Sequence, residues 1–236
     1  MRKLAAISAL VFWVAFAANA QSQPVGVSSS SGSITPRADT SSQHSAQIDG
    51  IAARIGNDVL TDSEVRELED YQKLIEGKAQ ERAKIVGELV DQWVVETDAL
   101  ASKFPHPTAA DVTLEFQTLL KQFPSREQFQ ARLAQIGLTQ DQVRQVIERQ
   151  LYYIRFLDYK FHATTQVTTA QIESYYQQDI APQFQKRGVS VPPIGQVEAQ
   201  IRQLLTQEEI NEKAAQWLEE AKARLRIVIQ PSGGGG

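Results

Sequence analysis

The chain has 236 residues, 42% of them hydrophobic, no cysteine and a formal charge of −4. The missing thiols exclude disulfides, a cysteine nucleophile, a cysteine zinc site, an iron–sulfur cluster and a cysteine-linked lipid anchor. With 24 basic against 28 acidic residues and a mean hydropathy of −0.31, composition argues against a general nucleic-acid binder and against stable membrane insertion.

The N-terminus has the build of a secretory signal. Arg2 and Lys3 precede an apolar run from Leu4 to Ala17, and Ala18-Asn19-Ala20 supplies the small-x-small pattern for cleavage after Ala20. The run is about 14 residues, short of the roughly 20 a spanning helix needs. Residues 21–47 are mostly Gln, Ser, Thr, Gly and Pro and read as a disordered leader. Residues 231–236, ending in four glycines, read as a flexible tail. The folded part is expected over residues 48–230, in a periplasmic or secreted protein.

Within it, Ile51–Ile55 and Val59-Leu60 flank Gly56-Asn57-Asp58, a hairpin pattern. Thr61 with Glu64 forms a capping box for a first helix that ends near Gly77. A second helix is expected from about Lys78 to Phe104, with a stripe of Val86, Leu89, Val90, Trp93, Thr97, Leu100 and Phe104. Pro105-His106-Pro107 breaks it. Thr108 with Asp111 starts a third helix, which Pro124 stops. Ser125 with Gln128 starts a fourth, closed by Gly137.

Thr139 with Gln142 opens a long fifth helix to about His162. A sixth begins at Thr168 with Gln171 and is expected to break at Pro182 or soon after Phe184. Gly188–Pro193 reads as a linker. A final helix, from about Gln196 to Arg224, carries Val197, Ile201, Leu204, Leu205, Ala214 and Leu218. The run 226–230 reads as a strand. A lone hairpin is marginal in water, so this last strand is expected to pair with the first hairpin. The fold class is therefore mainly α: a single helical domain with a small β-sheet built from the N-terminal hairpin and the C-terminal strand.

Four segments carry a family resemblance: IDGIAARIGNDVLTDSEV, GELVDQWVVETDALA, VTTAQIESYYQQ and VPPIGQVEAQIRQLLTQEEINEKAAQWLEEAKARLRIVI. In this order they resemble the SurA/PrsA-type extracytoplasmic chaperones, with their SurA N-terminal, trigger-factor-like peptide-binding domain. That family commonly inserts parvulin prolyl isomerase domains of about a hundred residues between the last two segments. Here only about ten residues separate Phe184 from the final helix, too few for a domain. The resemblance implies an ATP-independent holding chaperone without isomerase activity, acting on unfolded exported proteins or peptides and needing no cofactor.

The residues show no catalytic pattern. His44, His106 and His162 are scattered, and no HExxH, GxSxG, P-loop or calcium-loop motif occurs. His162 reads as a helix C-terminal residue, and the carboxylates read as solvated helix faces. No metal site is expected, nor is an enzyme.

The fifth helix is the most informative stretch. Val143, Val146, Ile147, Ile154, Leu157 and Phe161 share one face; Tyr152, Phe156 and Tyr159 share the opposite one. A helix apolar on both faces is either central in its domain or offers one face to a partner. The functional reading makes Tyr152, Phe156 and Tyr159 a client-binding surface. The other class of reading is a dimeric or hetero-oligomeric envelope scaffold, a homodimer included, whose aromatic helix face meets one fixed partner.

Overall fold

A computed structural model describes residues 49–230. The expected signal, its cleavage site at Ala20, the leader and the tail lie outside the described residues.

The chain begins with strand β1 (Ile51–Ile55), turns at Gly56 with φ 60°, and returns as β2 (Asp58–Thr61). A residue with a Cβ is disfavoured at that angle, so glycine suits the turn. The register slips between Ile51 and Ala53. Strict alternation would send Ala52 and Ala53 to opposite faces; with the slip, both are buried. The last strand, β3 (Ile227–Ile229), lies antiparallel to β1 and gives the order β2-β1-β3. Gly56 N–H donates to Arg226 O at 3.0 Å and Gln230 N–H to Ala52 O at 2.8 Å. The domain is mainly helical, and its two ends close it through this small sheet.

Helices α1 (Asp62–Glu76), α3 (Ala109–Leu120), α4 (Arg126–Ile136) and α5 (Gln140–Phe161) start at the expected caps. Each cap side chain accepts a backbone N–H of the first turn. Thr61, Thr108 and Thr139 are answered by Glu64, Asp111 and Gln142, which accept from the cap's own N–H. Gly137, at φ 86°, closes α4.

Helix α2 (Arg82–Ala101) starts four residues later than its periodicity suggests. The reason is Gln72, buried on α1. Its side chain accepts from Gln80 N–H and donates to Glu88, which ties residues 78–81 to α1 and keeps them non-helical. The expected stripe also holds only in part. Val86, Leu89 and Val90 are buried, but the covered face then passes to Val94, Val95 and Ala99, leaving Thr97 and Leu100 exposed.

That shift follows from two adjoining cores. One joins the sheet to α1, α3, α4 and the first halves of α2 and α5. The other joins the second halves of α2 and α5 to the end of α8 (Ile194–Ala223), through Ala214 and Leu218. Helices α2 and α5 run through both. Lys222 Nζ lies 2.8 Å from Asp91 Oδ1, pinning the end of α8 to α2.

The helical run passes Pro182 and ends at Lys186, just after Phe184, the later of the two expected breaks. Helix α6 (Thr169–Tyr175) widens into a π-turn over Tyr176–Ile180 and continues as α7 (Ala181–Lys186), with Pro182 inside its first turn. Proline lacks an N–H and crowds the carbonyl four residues back; the wider turn just before it relieves that conflict. Tyr176 Oη then donates to Pro192 O at 2.8 Å across the turn to α8. Between Ile172 and Ile201 no side chain is buried, although Tyr175, Phe184 and Val197 are half-covered.

Candidate functional site

The expected aromatic surface divides. Tyr159 is 64% exposed, whereas Tyr152 is 4% exposed and Phe156 only 1%. Tyr152 and Phe156 therefore do not form an open client-binding face, which corrects that expectation. The cover comes from the connection after α2. Phe104 folds back so that its ring centroid lies 5.8 Å from Tyr152, 5.5 Å from Phe156 and 5.1 Å from Tyr159. Tyr152 Oη donates to Phe104 O at 3.2 Å.

His106 completes the cover. Its ring stacks on Tyr152 with centroids 4.2 Å apart and planes within 5°. The flanking Pro105 and Pro107 restrict the backbone and so lower the entropy lost in holding the imidazole there. Phe104 sits in the sequence as one more apolar residue at a helix end, and His106 as a residue between two breakers. The signal that links them to Tyr152 is absent from local spacing.

Beside this ladder of rings lies an open depression of about 270 Å³ between α2 and α5. It is lined by Val95, His106, Tyr152 and Tyr153 together with the carboxylates of Glu96 and Glu148, Val95 and Tyr152 being almost wholly buried. A second depression of about 250 Å³ adjoins it, walled by Pro107, Ala109 and Val112 with Arg144 and Thr113. Glu148 lines both. Neither Glu96 nor Glu148 has an ion-pair partner among the described residues. Arg149, also lining the first depression, is paired with Glu67 of α1.

The tyrosines are set to remain neutral. Burial, reinforced by the charge of Glu96, pushes the Tyr152 phenol above its ordinary value. Burial pushes Tyr153 further, with Asp91 and Glu88 adding to it. A neutral phenol can donate or accept a hydrogen bond while its ring meets apolar groups. No group of three metal-ligating side chains lies together among the described residues. His162, at the end of α5, faces Asp158 at 3.1 Å, an i,i+4 contact on the helix surface. No described helix is long and apolar enough to cross a membrane.

The chain matches no family model, and no curated protein matches it.

Proposed function

We propose that the protein is an exported, ATP-independent holding chaperone that binds unfolded or extended segments of secreted or outer-membrane proteins. It resembles the SurA/PrsA chaperone module without a prolyl isomerase domain, and acts in the periplasm or outside the cell. One observation supports the reading: the open double depression along α5, lined by the half-buried Tyr153 and by polar groups including Glu96 and Glu148. Shallow sites of mixed character favour many weak contacts, which suits an extended client of varied sequence. Tyr159, exposed beyond the buried rings, adds apolar surface at the far end of the ladder.

The mechanism is reversible covering of a client's apolar segments, which lowers the concentration of aggregation-competent surface without a chemical step. A suppression-of-aggregation assay with a chemically unfolded model protein tests it. The expected result is reduced light scattering at stoichiometric to several-fold excess. No reduction at several-fold excess overturns the reading, and clear turnover in a prolyl isomerase assay overturns the proposal of a non-enzymatic binder.

A scaffold reading has one observation in its favour. The stretch between Ile172 and Ile201 leaves Tyr175, Phe184 and Val197 half-covered and Val189 51% exposed, a surface a fixed partner or a second copy would cover. Light scattering separates the two readings: a concentration-independent dimer supports the scaffold, a monomer the holding chaperone.

A further inference from the structure

The double depression has a chemistry that narrows what it takes, and this inference rests on the chaperone reading while going beyond it. Arg144, Glu148 and Tyr152 stand four residues apart along α5 and line the two depressions in turn, Glu148 belonging to both. Four helical residues rise about 6 Å. Alternate side chains of an extended chain recur about every 7 Å, so successive same-side residues of such a chain can fall into successive depressions.

The charges differ between the two. The first depression carries Glu96 and Glu148, neither ion-paired among the described residues, beside the half-buried Tyr153; the Arg149 that also lines it is held by Glu67. An ammonium or guanidinium there meets two carboxylates beside the half-buried Tyr153, and either interaction favours a cation. In the second depression Arg144 is turned onto Phe116, its guanidinium 4.1 Å from the ring centroid, and its Nη1 contacts Thr113 Oγ1 at 3.5 Å. Beside it stand the exposed Ala109, the largely buried Pro107 and Val112, and the shared Glu148.

We infer that the trough is a two-subsite groove for extended polypeptide, the first subsite taking a Lys or Arg side chain between Glu96 and Glu148, the second a small apolar residue two positions away. The cation supplies selectivity and the backbone and apolar contacts supply tolerance, so the groove grades clients by the placement of basic residues.

Fluorescence anisotropy on the full chain tests this. The probe is a labelled decapeptide of Ser and Val with one central Arg, compared with peptides carrying Gln or Glu in its place. The Arg peptide is expected to bind about fivefold to tenfold more tightly than the Gln peptide, the advantage shrinking as salt rises. The Glu96→Gln, Glu148→Gln double variant, checked for intact helical circular dichroism, is expected to bind Arg and Gln peptides alike. Equal binding of the two by the unaltered chain overturns the inference, as does an Arg preference that survives in the double variant. Should the double variant unfold, the single variants and the Arg-to-Gln ratio of the unaltered chain still decide. Suppression of aggregation without an Arg preference removes this inference alone. An Arg preference without suppression removes the chaperone reading and leaves the groove.

Discussion

His106 lies flat on Tyr152, ring centroids 4.2 Å apart and planes within 5°, although 46 positions separate them in the chain. Such a pair contributes about 0.5–1.5 kcal/mol beyond the area it buries. His106→Ala is expected to lower stability by about that amount in urea unfolding and to raise the solvent exposure of Tyr152, read by near-ultraviolet circular dichroism. His106→Phe retains a ring over Tyr152 and should recover most of the loss. Unchanged stability in His106→Ala would show that the stack contributes nothing.

Phe156 and Tyr159 are one turn apart on α5 and should respond in opposite ways. Phe156 is enclosed by Phe104 and the second core, so Phe156→Ala should cost about 3–5 kcal/mol of stability. Phe156→Asp should unfold the domain. Tyr159→Ser should leave the unfolding midpoint within about 0.5 kcal/mol of the parent while weakening client holding. If Tyr159→Ser leaves aggregation suppression untouched, Tyr159 does not belong to the client surface.

Removal of residues 226–230 takes away β3 and the bonds from Gly56 to Arg226 and from Gln230 to Ala52. The remaining two strands form a hairpin of the marginal kind, and α8 loses its covalent link to the sheet. Thermal unfolding should shift down by several degrees or lose its single transition. A melting temperature equal to that of the full chain would contradict the closure.

Asp111 joins the cap of α3 to α5. The Arg155 side chain beside it, and then the Thr108 hydroxyl and N–H, hold its carboxyl far below the usual aspartate range. A carboxyl whose folded value is depressed stabilises the fold above its unfolded value and loses that contribution as pH falls toward the folded one. The unfolded value is about 3.9. The stability gap between the parent and Asp111→Asn should thus be full near neutral pH and close progressively as pH drops below about 4. Melting temperatures across that range check it; a gap that stays constant to the acid end would exclude the Asp111 linkage.

Much of this architecture is readable from residues within a few positions of one another. Thr61, Thr108, Ser125, Thr139 and Thr168 mark helix starts because each cap bonds to a residue three places on. Gly56 and Gly137 mark turns because their own φ angles are positive. The pairing of β3 with β1 was also inferable, since a hairpin this small needs a third strand and one further strand-like run is present.

What lies outside local reach is which side of each helix is covered. The two apolar faces of α5 identify a helix with two neighbours or one neighbour and one free surface, and periodicity is the same in both cases. Only the tertiary structure decides, by bringing Phe104 and His106 over Tyr152 and Phe156 and leaving Tyr159 in solvent. The passage through Pro182 is likewise settled by a π-turn rather than by proline's own preference. The groove holding Glu96 and Glu148 exists because α2 and α5 cross both cores side by side. Each helix by itself carries an ordinary solvated glutamate, and the subsite is a property of their packing.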